Sequence, residues 1–155
     1  MHPNGRAGEH GLVVVPAASA VVALDGDDVV LAQQARFAVD RVVLEIVKGG
    51  AEPGESALAA AKRELREELG LTARRWDELG IVFEIPSIVE QPVSLFLARG
   101  LTAVRPEPEA VETIAAGRVP LSAALLAAAR GEIRDAVTGV ALMRAAQYLK
   151  DEAAR

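Results

Sequence analysis

The chain has 155 residues, 51% of them hydrophobic and only 3% aromatic, with no cysteine and a formal net charge of −5. That length suits one compact domain with an easily built core. The acidic balance argues against a non-specific binder of nucleic-acid polymers, and the lack of cysteine excludes disulfides, thiolate zinc sites and cysteine nucleophiles. No apolar run approaches transmembrane length, and residues 1–10 lack the apolar centre of a signal peptide. The expectation is a cytoplasmic protein with no membrane or nucleic-acid partner.

Residues 1–10 are polar, hold the only histidines, His2 and His10, and are expected to be disordered; residues 11–152 are expected to form a single domain. Residues 11–15 and 17–24 are rich in valine and read as strand. Asp25-Gly26-Asp27-Asp28 is a turn, and 29–33 the return strand of a hairpin. After the less regular 34–40, residues 41–47 (RVVLEIV) read as a further strand. Glu45 lies inside that apolar run and needs a partner, with Arg36 and Arg41 as candidates.

The next stretch, 48–71, carries the most chemistry. Gly49-Gly50, Pro53 and Gly54 mark a tight loop, Ser56 is a helix N-cap, and Ala57–Leu69 contains neither proline nor glycine. Gly70 supplies the stop. Leu58, Ala61, Leu65 and Leu69 fall along one side of this helix; Glu64, Glu67 and Glu68 fall along another. Like charges one turn apart cost a bare helix about 0.2–0.5 kcal/mol per pair. A divalent cation reverses that sign, because Mg²⁺ takes hard oxygen ligands together with waters and phosphates. Charge pattern alone leaves a metal site and a solvated face about even. Arg63 can pair with Glu67 and tie down part of the cluster.

Beyond the helix, 72–78 reads as a polar connection whose Trp76 packs on the sheet, and 79–85 and 93–98 read as strands around a loop. Residues 103–112 form a proline-broken acidic loop: either a solvated linker or the source of a further carboxylate. A short strand or edge starts at 113–114, and Val119-Pro120 leads into helices at 121–130 and 135–150. Val137, Val140, Leu142, Met143 and Leu149 are expected on the buried side of the last helix. There is no GxxxxGK[ST], HExxH or GxSxG sequence. Metal-assisted attack by water is the chemistry that remains.

Gly49, five residues, Glu55, seven residues, Arg63-Glu64-Leu65, one residue, Glu67-Glu68, one residue, Gly70-Leu71 is a complete match to the Nudix box. By it the chain is identified as a member of the Nudix hydrolase family. The resemblance implies an α/β fold, the Nudix α/β/α sandwich with a mixed sheet and a loop–helix–loop motif. It implies hydrolysis of a nucleoside-linked diphosphate with two or three Mg²⁺ (or Mn²⁺) ions. The ions would be held by Glu64, Glu67, Glu68 and the Gly49 carbonyl, with Glu55, Arg63 and Gly70 as supports.

A finer resemblance runs from about residue 17 to 149. Gln34, Arg36, Leu44-Glu45 and Gly131-Glu132-Ile133-Arg134-Asp135 are similar to the ADP-ribose pyrophosphatase branch. It implies ADP-ribose or an ADP-sugar as substrate, AMP and a sugar phosphate as products, and a homodimer. Arg36, Glu45 and, in the 86–92 loop, Glu90 would bind substrate; a structural salt bridge between Arg36 and Glu45 is the alternative. Glu107 and Glu109 are the candidates for base or extra metal ligand, Glu109 preferred and Glu112 the outsider. Val47-Lys48-Gly49, in place of Pro-Ala-Gly, resembles relatives that hydrolyse assorted ADP compounds. Hydrolysis of NADH, dinucleoside polyphosphates or nucleoside triphosphates stays open. So does a sensor domain that binds ADP-ribose without turnover, although the intact glutamates favour catalysis.

Overall fold

The computed structural model describes residue 5, residues 7–105 and residues 115–155. The strands are β1 (Val13–Val14), β2 (Ala18–Asp25), β3 (Asp28–Arg36), β4 (Arg41–Glu45), β5 (Val47–Gly50), β6 (Leu71–Phe83), β7 (Val89–Glu90), β8 (Pro92–Ala103) and β9 (Ala115–Pro120). The helices are α1 (Ala57–Leu69), α2 (Leu121–Ala129) and α3 (Ala136–Ala153), with a 3-10 turn at Phe37–Val39.

β2 is the spine. Every residue from Ala18 to Leu24 is buried, as a strand covered on both faces requires. It pairs in parallel with β8 over Ala18–Leu24 and antiparallel with β5 over Ala18–Val21. Its side chains alternate between two cores. Val22 and Leu24 join Leu31, Leu95 and Leu97 under α3, where Val137, Ala141, Leu142 and Ala145 pack. Val21 and Ala23 join Val30, Val47, Phe96 and Ala98 under Ala61 and Leu65 of α1. This is the expected α/β/α sandwich with a mixed sheet.

The hairpin expected at Asp25–Asp28 forms, but only Leu24–Val29 and Asp25–Asp28 pair across it. β3 then turns away to pair with β9 and β4. The β4–β5 run bridges the gap, leaving β3 after Glu45 and joining β2 at Val47. Ile46, at the junction, donates its N–H to Thr138 Oγ1 at 3.1 Å. The same hydroxyl donates to Asp135 Oδ2 at 2.6 Å, and that oxygen also accepts from the Thr138 N–H at 2.8 Å, capping α3. One buried threonine thus satisfies the junction and fixes the start of the last helix.

Several expectations need correction. Residues 72–78 are not a connection: β6 runs unbroken in direction from Leu71 to Phe83 against β8, with an irregularity between Glu78 and Gly80. Only Leu71 and Leu79 of β6 are buried, so its outer face tolerates the polar residues that made it read as loop. Of residues 11–15 only Val13–Val14 form strand, paired in parallel with β7 in a separate two-stranded sheet. The short strand expected to start at 113–114 is seen as β9 over Ala115–Pro120; its AAGRVP composition carries little strand signal, and the edge of β3 selects it. Residues 113–114 themselves lie outside the described residues. Met143 is 59% exposed rather than buried, its place on the packed face of α3 taken by Ala141 and Ala145.

Trp76 packs edge-on to Phe96, the ring centroids 6.3 Å apart. On the same edge of the sheet, Arg99 reaches Asp77 and Glu152, both at 2.5 Å, and Tyr148 donates to Asp77 at 2.8 Å. These contacts pin the last turns of α3 to β6 and β8. Thr138→Val keeps the shape of residue 138 but strands the Ile46 N–H and removes one of the two bonds to Asp135 Oδ2. A stability loss of about 1–3 kcal/mol is expected in denaturant melts, the cost of a buried group left without its bond.

Candidate active site

The segment from β5 into α1 builds the site. Ser56 caps α1, its Oγ accepting from the Ala59 N–H at 3.2 Å. Ser19, buried in β2, donates to the Ala57 carbonyl at 2.7 Å and fastens the helix start to the sheet. Gly70, at φ 59°, closes the helix in the left-handed conformation that glycine adopts most cheaply. The loop and helix are therefore fixed at both ends, as the glycines and Ser56 led us to expect.

Arg63 organises the interior of this unit. Its Nε and Nη2 form a two-pronged bond to Glu55, at 3.1 and 3.0 Å, and Nη2 also donates to the Gly50 carbonyl at 2.8 Å. Its Nη1 donates to Glu64 Oε1 at 2.7 Å and Glu67 Oε2 at 3.1 Å. One guanidinium thus binds three carboxylates and a carbonyl, the planar forked recognition that lysine cannot reproduce. The Arg63 guanidinium, with the Glu52 N–H, holds the Glu55 carboxyl below its ordinary range.

Glu64 lies so close to Gly49 that a Cβ at position 49 would overlap its carboxylate. Gly49 is thus required by side-chain approach, beyond any turn preference. Glu64, Glu67 and Glu68 line one polar cavity of about 200 Å³ with Arg63, Gly49 and two cations of the sheet, Arg36 and Lys48.

Arg36 and Lys48 also line a second cavity, of about 420 Å³, with Val39, Val43, Glu45 and Asp135. Arg36 donates to both oxygens of Glu45, at 2.7 and 2.9 Å. Glu45 is 2% exposed, and Arg36 answers its need for a partner. The expected salt bridge is therefore real, and it forms part of the wall between the cavities. Lys48 extends it, 3.3 Å from Glu45 and 2.5 Å from Asp135. Burial pulls the Lys48 ammonium down, but the bond to Asp135 and the charges of Asp135, Glu45 and Glu84 outweigh it and leave it raised. Burial pushes Asp135 up, yet its bonds from Lys48 and Thr138 carry it below its ordinary value of 3.8.

Lys48 and Asp135 were missed as site residues. The partial signals were a lysine beside Gly49 and an aspartate three residues before Thr138, a capping pattern. Glu90 is not brought in: it is exposed in β7, and neither cavity includes it among its lining residues. Glu107, Glu109 and Glu112 lie outside the described residues.

The donors suit a hard divalent cation: three carboxylates and the Gly49 backbone on one polar cavity, with no cysteine in the chain. Among the described residues no three acidic or histidine groups are drawn into a closed ligand cluster. Glu64 and Glu67 are instead turned to Arg63.

A family model for the NUDIX domain matches residues 14–138. The chain belongs to the Nudix family. Members of this family generally use a divalent metal cofactor. The chain is similar to the ADP-ribose pyrophosphatase of Bacillus subtilis (strain 168), 32% identical over 151 residues, covering 96% of this chain and 80% of that one. It is 34% identical over 134 residues to the ADP-ribose pyrophosphatase of Mycobacterium tuberculosis (strain ATCC 25618 / H37Rv), covering 83% and 65%. It is 31% identical over 101 residues to the methanol dehydrogenase activator of Bacillus methanolicus, covering 64% and 55%. The crystal structure of an ADP compounds hydrolase matches with a TM-score of 0.80 at 26% identity, over 88% of this chain and 74% of that one.

Two outcomes follow for this Nudix site. In Gly49→Ala the group that must move is the end of the flexible Glu64 side chain, so the melting temperature should change little. Turnover should fall about 10²-fold, as a misplacement of about 1 Å can cause. The second concerns acid. Asp135 binds a proton more readily in the unfolded chain than in the native one, so its stabilisation is complete above its ordinary value of 3.8 and is lost as pH falls through the lower native value. Asp77, Glu152 and Glu55 are shifted the same way. Thermal melts should be level from neutral pH to about 5 and drop below about 4, with a shallower acid limb in Asp135→Asn.

Proposed function

We propose that the chain is a metal-dependent hydrolase of the pyrophosphate bond in ADP-ribose or ADP-sugars, giving AMP and a sugar phosphate. The observation that carries this reading is the meeting of two cavities at Arg36 and Lys48. One is polar, with three carboxylates facing three cationic side chains, and suits cations bound to a diphosphate. The other is larger, partly apolar, and has room for a nucleoside or sugar arm.

In this reading Glu64, Glu67, Glu68 and the Gly49 carbonyl hold two or three Mg²⁺ or Mn²⁺ ions. When bound, the cations offset the charge of the anhydride and lower the pKa of an attacking water. Arg63 and Glu55 fix the helix against the loop, so that the carboxylates need no rearrangement as charge develops. Arg36 and Lys48 place positive charge where the anhydride crosses between the cavities. Glu45 and Asp135, buried or half-buried beside them, hold those cations in position. A carboxylate of the acidic loop, Glu109 ahead of Glu107, accepts the proton of the water or completes a metal shell. Glu90 would serve the substrate only if a second copy of the chain carried it to the site.

The protein acts as a homodimer in the cytoplasm in this reading. Val13, Val14, Phe83, Ile85 and Ile88 are exposed, and a second copy would cover them. No helix among the described residues is long and apolar enough to cross a membrane.

The decisive measurement is a substrate screen with Mg²⁺: ADP-ribose, ADP-glucose, NADH, diadenosine polyphosphates and nucleoside triphosphates, read as phosphate after phosphatase coupling. ADP-ribose or ADP-glucose should give the highest kcat/KM. Fastest turnover of nucleoside triphosphates would overturn the substrate assignment. Glu68→Gln should abolish turnover and leave the circular dichroism spectrum unchanged; full activity in that variant would remove Glu68 from the metal site.

A further inference from the structure

The larger cavity carries more positive charge than its own carboxylates answer. Arg36, Arg41, Lys48 and Arg134 line it beside only two acidic side chains, Glu45 and Asp135. Both acids are already bound, Glu45 by the fork of Arg36 and Asp135 by Lys48 and Thr138. Among the described residues, Arg41 and Arg134 make no hydrogen bond or ion pair. Two guanidinium groups from separate segments thus stand at one cavity without a counter-charge.

The strand register adds a second, independent sign. Arg36 and Arg41 sit directly opposite each other where β3 pairs with β4, and like charges in that position work against a strand pair. An anion between them turns the repulsion into attraction. Arg134 is rooted just as firmly, between the buried Ile133 and Asp135, the cap of α3.

We propose that the larger cavity selects diphosphates whose nucleoside or sugar arm carries a further phosphate monoester, bound by Arg41 and Arg134. The inference rests on the diphosphatase reading given above and names the substrate class that the site prefers. The arms of ADP-ribose are uncharged beyond the diphosphate, so they leave both arginines unanswered. A phosphate monoester carries a charge of about −1.5 to −2 near neutral pH, which matches two guanidinium groups. Arginine meets phosphate through paired N–H donors, a contact stronger than one between neutral groups. The volume of about 420 Å³ falls within the roughly 300–1,000 Å³ of ordinary small-molecule sites. Arg36 and Lys48 remain for the diphosphate at the boundary of the two cavities.

The test compares kcat/KM, with Mg²⁺, for ADP-ribose, ADP-ribose 2′-phosphate and ADP-ribose 1″-phosphate. Products are separated by anion-exchange chromatography, because a coupled phosphatase would remove the added group. One of the two phosphorylated compounds should exceed ADP-ribose about tenfold, the lower end of what a hydrogen bond to a charged group contributes. The gain should come chiefly through a lower KM and should shrink as salt is raised. Whichever compound is preferred identifies the arm that enters the cavity. Arg41→Gln and Arg134→Gln should each narrow the ratio of phosphorylated to unphosphorylated substrate several-fold. Both positions are exposed; should one variant fail to fold, the ratio in the other decides. Equal or faster use of ADP-ribose by the wild type, or a ratio unchanged in the variants, would overturn the inference and leave the diphosphatase reading intact. Hydrolysis of none of the three compounds would bring down that reading, and this inference with it.

Discussion

Like charges crowded on one helical face repel, and α1 carries three glutamates within two turns. The structure meets this repulsion with the Arg63 guanidinium, which lies between the helix and the loop that precedes it and bonds to Glu55, Glu64, Glu67 and the Gly50 carbonyl. Much else follows from that placement. A side chain at residue 49 would displace the Glu64 carboxylate, which occupies the space it would fill. Both ends of α1 must be fixed, because an arginine that holds loop and helix together can do so only in one register. Ser56, Ser19 and Gly70 supply that fixing.

A second polar run crosses the molecule from the site to the last helix. It passes from Arg36 through Glu45 and Lys48 to Asp135, then through Thr138 to the Ile46 backbone. Buried charges need partners, and removing one partner from such a set is costly. Here the requirement does structural and chemical work together. The same contacts that close the β4–β5 junction set two cations at the boundary of the two cavities. α3 is thereby coupled to the site through its first turn, and through its last turns to the β6–β8 edge by Arg99, Asp77 and Glu152.

The motif from Gly49 to Gly70 could be read directly because its elements are local: a cap, a helix period, a stop, and charges at fixed offsets. The valine-rich central strand was equally legible, since burial on both faces leaves a continuous apolar run. β6 was legible only in its second half, from Leu79 on; the first half, on an edge strand with one wet face, has the composition of a loop. The Lys48–Asp135 pair was not, because 87 residues separate its members and no local pattern reports a contact of that kind. Met143 misled for a different reason: on an amphipathic helix packed closely to a sheet, small alanines took the inner face and the larger side chain faced outward. Glu90 was placed by analogy with a loop whose local chemistry differs here, and its strand lies in a separate sheet.

The parallel pairing of β2 with β8 joins Ala18–Leu24 to Val93–Arg99. As the chain emerges from the ribosome, its central strand has no neighbour on that side until residues more than seventy positions later have been made. From Ala18 to Leu24 the strand left waiting is apolar but for Ser19, and long-range pairing of this sort is slow and exposes sticky intermediates. The hairpin with β3 gives little early shelter, because it zips for only two pairs. Synthesis of the second half of the chain is thus the event that lets the first half settle, and truncated products should be prey for chaperones and proteases.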